Sequence, residues 1–184
     1  MIKTTLWIFG GILLGLIIHL TLILSLPQIV PNNVWSIFAK IGAPGELITI
    51  AKPKQQEANI LRLDPELAYA VCRFDLSIGP GIINGKLPND FWSVGVFDKN
   101  GVAIYSTTNR SGGGSSLDIG IFNPAQTRLL AEQKIELESG ILIVKVPRDE
   151  VFIVIRLAVP HPAMWQRYKE TLEKLHCSHV GQNQ

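Results

Sequence analysis

Residues Leu6–Leu26 read LWIFGGILLGLIIHLTLILSL, a run of apolar side chains interrupted only by glycines, one His, one Thr and one Ser. The run lies within a longer interval, between Lys3 and Lys40, that contains no Asp, Glu, Lys or Arg. A bilayer core accepts about 20 such residues as a helix. The sequence therefore predicts one transmembrane helix within residues 1–27, followed by a domain outside the membrane.

The length and the exit of this span favour a retained anchor over a cleaved signal peptide. A signal peptide has an apolar region of about 7–15 residues that ends at a small-x-small site. This run is longer, and its exit Ser25–Gln28 (SLPQ) offers no such site. Lys3 precedes the helix, whereas the next basic residue is Lys40. The positive-inside rule then predicts a cytoplasmic N-terminus and, in an inner membrane, a periplasmic domain.

Three residues of the span share one helix face: Gly11, Gly15 and His19 follow one another at intervals of four. A Gly-x-x-x-Gly pair permits close approach of a second helix, although glycines are also common in spans that do not associate. An ionisable residue within a span is a candidate functional group. The alternative is a neutral His19 hydrogen-bonded to a neighbouring helix or to headgroup water. This face is a candidate contact between membrane helices.

The composition beyond the anchor excludes a nucleic-acid-binding surface. Of the 17 Lys and Arg residues, Lys3 alone precedes the end of the anchor, which leaves 16 against 15 Asp and Glu. This near-neutral balance lacks the basic excess of a nucleic-acid interface. Roughly 150 residues remain, which is enough for one domain with its own core.

Beyond the anchor, the sequence predicts three segments. Residues 28–64 resemble a stem, because prolines interrupt them and the run Lys52–Glu57 is polar. A short helix within Asn32–Lys40 is expected at the membrane surface. Residues 65–177 form the predicted domain, and residues 178–184 a disordered tail.

The domain is predicted to be mainly β, an antiparallel β-sandwich of jelly-roll-like type. Short runs rich in β-branched and aromatic residues alternate with clusters of Gly, Pro, Asn and Asp, which is typical of a sandwich. The predicted strands lie in Leu67–Ser77, Gly81–Lys86, Phe91–Asp98, Val102–Ser106, Leu117–Phe122, Ile141–Val146 and Val151–Val159.

Two helices interrupt or follow the strands. Pro124–Gln133 begins with proline after Asn123, a favourable N-cap. A C-terminal helix is predicted over Pro162–His176, because four apolar residues recur at helical spacing. These residues are Trp165, Tyr168, Leu172 and Leu175.

Cys72 and Cys177 are the two cysteines of the chain. In an oxidising compartment such a pair suggests one disulfide, which would join an early strand to the end of the last helix. The alternative is that Cys72 is a small buried hydrophobic residue and Cys177 a free thiol near the C-terminus.

The sequence contains no catalytic constellation. The run Ser111–Ser116 (SGGGSS) lacks the lysine that a phosphate-binding loop needs. His176–His179 places three potential metal ligands within four positions, which is poor geometry for zinc. No Gly-x-Ser-x-Gly motif is present. We therefore expect neither an enzyme, nor a cofactor, nor a metal.

Two arginines lie within predicted strands among apolar neighbours, at Arg73 and Arg156. A charge in such surroundings needs a partner or a route to solvent. Asp75 and Asp98 are candidate partners for structural ion pairs. The alternative is an anion-binding floor within the sandwich, and Arg110 is a further candidate for a ligand contact or an ion pair.

Several motifs together resemble the family of the domain of unknown function DUF1254, over nearly the whole chain. The chain looks most like the short version of that family, a predicted integral membrane protein of Gram-negative bacteria with a glycine-rich anchor that carries a His. Longer members have a second domain that this chain lacks, so the resemblance implies a separately encoded companion. The motifs are Asp64–Ser77 (DPELAYAVCRFDLS), Gly79–Pro80, Phe91–Val94 (FWSV), Phe97–Asp98, Tyr105–Ser106 and the anchor run Gly10–His19.

Two functional hypotheses follow. The first is a non-catalytic, single-pass inner-membrane protein that takes part in envelope assembly, with the companion-domain protein or a second copy of itself as partner. The second is a periplasmic module that binds a small ligand, a lipid or an anionic headgroup, through Arg73 or Arg156.

Overall fold

The N-terminal apolar run forms one helix, α1 (Ile2–Ile29). Its segment Ile2–Leu26 is long and apolar enough to cross a membrane, with a mean hydropathy of 2.3, and none of it is buried by the rest of the protein. At 1.5 Å per residue this segment is about 37 Å long, which exceeds the hydrocarbon thickness of a bilayer. Such a helix near the N-terminus is typical of a membrane anchor or a signal sequence.

The computed structural model describes residues 2–29, 34–52, 59, 61, 63–111, 114–133 and 140–180. It divides into two units, Met1–Asn33 and Val34–Gln184, of which the second is the folded domain. The domain elements are, in chain order, α2 (Val34–Ile41), β1 (Leu47–Ile50), β2 (Leu67–Asp75), β3 (Gly81–Lys86), β4 (Trp92–Asp98), β5 (Ala103–Thr108), β6 (Ser116–Phe122), α3 (Pro124–Gln133), β7 (Leu142–Lys145), β8 (Glu150–Ala158), a 3₁₀ turn (Pro162–Met164), α4 (Trp165–Glu173) and β9 (His176–His179).

The strands form two sheets. The five-stranded sheet has the order β1-β2-β8-β4-β5, and the four-stranded sheet has the order β7-β6-β3-β9. All neighbours are antiparallel except β6 and β7, which are parallel. The expectation of a purely antiparallel fold was therefore wrong for this pair. The chain between β6 and β7 includes α3, and a crossover of this kind brings the next strand back in the same direction.

Alternation along β2 explains how the two sheets share a core. Its side chains Ala68, Ala70, Cys72 and Phe74 join one large cluster with residues of both sheets, among them Ile83 of the four-stranded sheet. The intervening side chains belong to a second cluster on the opposite face, which consists of Tyr69 and Val71 with Phe38, Phe152 and Val154. Because strand side chains alternate, the five-stranded sheet is buried on both faces along its centre.

Each of the seven predicted strand runs overlaps a strand of the structure, but two further strands were missed. β1 lies in the segment assigned to a stem, and it pairs with β2 from Leu47 opposite Cys72 onward. β9 includes Ser178 and His179, which had been assigned to a disordered tail. It pairs with β3, and α4 therefore ends at Glu173 instead of continuing to His176. The polar stem run from Pro53 to Glu57 lies outside the described residues, as do residues 181–184.

Helix α4 packs on β1 and β2 and places β9 at the edge of the other sheet. Tyr168 and Leu172 are its buried residues, and the Tyr168 hydroxyl donates a hydrogen bond to the carboxylate of Asp90, which precedes β4. β9 then carries Cys177, which forms a disulfide with Cys72 of β2 at a Cα–Cα distance of 6.6 Å. This covalent bond joins the five-stranded sheet to the four-stranded sheet.

Removal of the disulfide should lower stability strongly. The two cysteines are 105 residues apart, and closure of a loop of this size is worth about 4–5 kcal/mol in the chain-entropy model. We expect Cys72→Ala/Cys177→Ala to lower the urea midpoint of the full chain in detergent micelles, and reductant to lower the wild-type midpoint similarly. A wild-type midpoint that does not respond to reductant, with two freely reactive thiols, would show that the bond does not form.

Tyr168→Phe should lower the free energy of unfolding by about 1 kcal/mol at neutral pH, because it removes one buried hydrogen bond. The hydrogen bond to Asp90 and burial both raise the pKa of Tyr168 above its ordinary value. The stabilisation is therefore fully present below about pH 10, the usual pKa of tyrosine, and is lost as the pH rises through the raised value.

The measurement is urea unfolding from pH 7 to pH 11 on wild type, Tyr168→Phe and the control Tyr105→Phe, whose hydroxyl has no hydrogen bond within the described part of the chain. The wild type and the control should lose this stability at alkaline pH, and Tyr168→Phe should lack that loss. Parallel pH profiles for all three proteins would contradict the assignment.

Candidate functional site

An apolar groove lies on the face of the five-stranded sheet that is turned away from the main core. We call it the outer groove; its volume is about 390 Å³. Its walls come from α2, from the chain at Leu61 and Leu63, and from the outward side chains of β2, β4 and β8. The residues that the argument uses are Phe38, Tyr69, Val71, Phe152, Val154 and Arg156.

The register of β2 and β8 builds the floor of the outer groove. Tyr69 lies opposite Arg156, and Val71 lies opposite Val154. Phe152 contacts Phe38 of α2 in an edge-to-face arrangement with ring centroids 5.5 Å apart, and it stacks on Phe97 at 5.3 Å. These aromatic contacts hold α2 against one part of the outer face.

Arg156 is the one charged side chain among the described residues that line the outer groove. It is exposed although both of its neighbours in β8, Ile155 and Leu157, are fully buried. No ion pair to Arg156 is found within the described ranges. An exposed guanidinium beside an apolar floor is a donor that an anionic group of a ligand can reach from solvent.

Arg73 lies on the same face, but it is buried beside α2. It is 6% exposed, its Nη2 donates to the carbonyl oxygen of Gly42 at 2.6 Å, and its guanidinium stacks on the ring of Trp35 at 5.0 Å. Its Nε is buried without a hydrogen-bond partner in the described structure. Burial lowers the pKa of Arg73 from its ordinary value. Arg73 therefore ties α2 and the turn after it to β2.

The predicted carboxylate partners serve turns instead of ion pairs. Asp75 accepts hydrogen bonds from the amide and the hydroxyl of Ser77. Asp98 accepts from the amides of Asn100 and Val102 at 2.9 Å and so closes the β4–β5 turn. Neither carboxylate forms an ion pair with Arg73 or with Arg156 in the described structure, so the expected pairing was wrong. Amides two to four residues away in the chain offer these carboxylates local hydrogen bonds, which compete with pairing to a distant arginine.

Arg110 lies in the turn after β5 and is exposed. The five charged residues singled out from the sequence therefore do not form one site, and of them Arg156 alone lines the outer groove. The sequence signal that was missed is the run Ala68–Cys72 (AYAVC), which is apolar on both faces of the strand. Such a run predicts burial on both sides of a sheet, and hence a layer that covers the outer face.

Within α1, Gly11 and Gly15 are exposed, as is His19. A Cβ atom added at either glycine meets nothing within 4 Å. This helix face is therefore open to a second helix when α1 is considered by itself.

No group of three His, Cys, Asp or Glu side chains in the described part of the chain is arranged to hold a metal ion. The cysteine of the His176–His179 run is bonded to Cys72, so its thiolate is not a ligand there.

These features define a class of protein: a mostly β domain of two sheets that follows a candidate membrane-spanning helix and carries an apolar groove whose described lining includes one arginine. The chain belongs to the DUF1254 family, whose model, described as a protein of unknown function, matches residues 45–179. The matched region begins just before β1 and ends with β9. Both strands missed in the sequence thus lie within the family's domain.

Solved structures resemble the fold at low identity. The VPA0106 protein from Vibrio parahaemolyticus matches with a TM-score of 0.54 and 10% identity, over 79% of this chain and 34% of that chain. An uncharacterised protein from Burkholderia cenocepacia matches with a TM-score of 0.43 and 11% identity, over 72% of this chain and 41% of that chain. No curated protein matches the sequence. This chain spans about a third of the length of the VPA0106 protein.

Proposed function

We propose that this protein is a membrane-tethered, non-catalytic binding module that takes the acyl chain of an anionic lipid into the outer groove. In this proposal α1 is a retained inner-membrane anchor, its N-terminus is cytoplasmic, and the domain is a periplasmic, jelly-roll-like sandwich. The observation that carries the proposal is the combination of an apolar floor with one exposed arginine at its margin.

The apolar floor of the outer groove is the argument for a ligand with a hydrocarbon part. A volume of about 390 Å³ lies within the range of small-molecule pockets, which are usually apolar with a few polar groups that orient the ligand. The floor consists of Tyr69, Val71, Phe152 and Val154 between α2 and Arg156. Apolar surface removed from water by an acyl chain contributes roughly 25 cal/mol per Å².

Arg156 supports an anionic headgroup. The guanidinium donates two parallel hydrogen bonds to a carboxylate or a phosphate, and such charge-assisted bonds are stronger than neutral ones. Arg156 lies opposite Tyr69 in the register of β2 and β8, so the charge and the apolar floor belong to one surface. A ligand with a charged end and a hydrocarbon tail matches both.

The proposed membrane anchor is the argument that the ligand is a lipid. Four residues, 30–33, separate the end of α1 from the start of α2 in the sequence. In this proposal the anchor is retained, so the domain stays attached to a membrane and lipids are the amphiphilic molecules available to it.

Arg156→Gln should weaken binding of an anionic lipid about 10-fold or more, because hydrogen bonds to charged groups are worth about 1.5–3 kcal/mol. The measurement is native mass spectrometry of the full chain in detergent, titrated with oleate and with the uncharged monooleoylglycerol. The matched control is Arg110→Gln, which removes an exposed arginine outside the outer groove.

We expect oleate binding to fall with Arg156→Gln and to be unchanged with Arg110→Gln, whereas monooleoylglycerol should bind all three proteins alike. Stability should change by less than about 0.5 kcal/mol, because Arg156 is exposed. Equal oleate affinity for wild type and Arg156→Gln would contradict the role of Arg156. A lack of binding by either lipid would contradict the groove as a lipid site.

A second candidate function is assembly with a companion protein in the envelope. The observation that favours it is the open face of α1, where a Cβ atom added at Gly11 or Gly15 meets nothing within 4 Å. A separately encoded protein or a second copy of this chain would then contact the face formed by Gly11, Gly15 and His19. Small residues at such a face allow close helix approach.

Gly11→Leu/Gly15→Leu should reduce capture of that partner after mild solubilisation of the membrane, because two leucines separate the helix backbones. The control is Gly10→Leu, which adds the same bulk about 100° away around the helix. A tagged copy and an untagged copy of this chain, expressed together, measure self-association in the same experiment. Identical capture by all variants would count against this helix face as the contact.

A further inference from the structure

Arg156 belongs to a row of side chains that crosses the outer face of the five-stranded sheet. It lies opposite Tyr69 of β2 on one side and opposite Ser93 of β4 on the other. Ser93 in turn lies opposite Thr108 of β5. Directly paired residues of an antiparallel sheet project to the same face, so these four side chains share the face that carries the outer groove.

The burial of β4 supports the outward direction of Ser93. Its two neighbours, Trp92 and Val94, are 2% and 1% exposed and belong to the inner core cluster. Because side chains alternate along a strand, Ser93 projects to the opposite side of the sheet. Ser93 is half-buried and Arg156 is exposed. A ligand can therefore approach this pair of residues from solvent.

Among the hydroxyls of this row, that of Ser93 is the one best placed to act together with Arg156. The Tyr69 hydroxyl already accepts a hydrogen bond from the amide of Asp64 at 3.1 Å. The Thr108 hydroxyl lies one strand further away and is hydrogen-bonded to that of Ser111 at 3.2 Å. The Cβ atoms of directly opposite residues are about 4.5–5.5 Å apart, so the Ser93 hydroxyl and the Arg156 side chain start from adjacent positions.

A guanidinium beside a hydroxyl distinguishes two kinds of anionic headgroup. The guanidinium binds a carboxylate through two parallel hydrogen bonds, which use both carboxylate oxygens. A phosphate monoester has three terminal oxygens and a charge of about −1.5 to −2 at neutral pH. Two of these oxygens can accept from Arg156, and the third can accept from the hydroxyl of Ser93. Together the two residues offer one donor to each terminal oxygen of a phosphate monoester.

We propose that the headgroup bound at Arg156 is a phosphate monoester, and that Ser93 determines this specificity by donating to the third terminal oxygen. The inference rests on the proposed function, because it takes lipid binding in the outer groove as its premise. Val154 and Phe152 lie two and four residues before Arg156 on the same face of β8, and both line the outer groove. The acyl chain of a lipid with this headgroup follows β8 from Arg156 towards Phe152.

The test is native mass spectrometry of the full chain in an uncharged detergent, titrated with three probes. Lysophosphatidate (1-oleoylglycerol 3-phosphate) and oleate carry the same hydrocarbon chain on different anionic groups, and glycerol 3-phosphate has the phosphate monoester without the chain. We expect the wild type to bind lysophosphatidate at least several-fold more tightly than oleate. Glycerol 3-phosphate should bind at least 10-fold more weakly than lysophosphatidate, because it has no apolar surface to bury.

Ser93→Ala should weaken lysophosphatidate binding about 10-fold, because it removes a hydrogen bond to a charged group, and should change oleate binding less than about 2-fold. Ser93→Thr keeps the hydroxyl and should retain the preference for lysophosphatidate. The matched control is Ser106→Ala, which removes an exposed serine hydroxyl of β5 opposite Gly95, in the next row of the same face. Its affinity for all probes should equal that of the wild type.

The results separate this inference from the proposed function. Equal affinity of the wild type for lysophosphatidate and oleate, or full lysophosphatidate affinity in Ser93→Ala, would overturn the phosphate assignment and leave lipid binding intact. An equal loss of both lipids in Ser93→Ala would indicate a structural role for Ser93 and would also overturn the assignment. Equal binding of glycerol 3-phosphate and lysophosphatidate would identify soluble phosphate esters as the ligands, and no binding of any probe would overturn both proposals.

Discussion

The pairing of β2 with β8 is the constraint on which the rest of the domain depends. The two strands are paired over nine residues, from Leu67 opposite Ala158 to Asp75 opposite Glu150. Both strands carry apolar side chains on both faces, so neither face of the sheet can be left in water. The inner face is covered by the four-stranded sheet. Among the described residues, α2 and the chain at Leu61 and Leu63 cover part of the outer face, and the outer groove is the part that they leave accessible.

The elements at the C-terminus fix the second sheet to this pair. α4 packs on β1 and β2, and the chain then enters β9 beside β3. The disulfide between Cys72 and Cys177 attaches β9 to β2 covalently, and Arg73, the neighbour of Cys72, anchors the turn after α2 through Gly42. The same short stretch of β2 therefore holds the inner layer with one residue and the outer layer with the next. This arrangement explains why a single strand determines the position of both the core and the outer groove.

The sequence predicted the elements that have a local signal. Hydropathy located α1, and alternation with Gly and Pro punctuation located seven strands. β1 (LITI) carries the β-branched residues of a strand, but it was missed because it lies in the proline-interrupted segment that was assigned to a stem. β9 (HCSH) has no strand pattern of its own and is a strand because β3 pairs with it. The acceptor for Arg73 is a backbone carbonyl 31 residues away. Because every residue has a backbone carbonyl, the residue types in the sequence do not identify such an acceptor. Arg156 was recognised as a candidate, but its groove depends on a register between strands that lie far apart in the chain.

The most direct test of lipid binding in the outer groove is photo-crosslinking of the full chain in bilayers. These bilayers contain an anionic phospholipid with a diazirine in the middle of its acyl chain. Peptide mapping then identifies which residues the acyl chain touches. We expect crosslinks on the outer side chains of β2 and β8, at Leu67, Tyr69 and Val154, in addition to those on α1. Crosslinks confined to α1 would show that the domain does not receive lipid, and would leave the outer groove as an uncovered surface without that function.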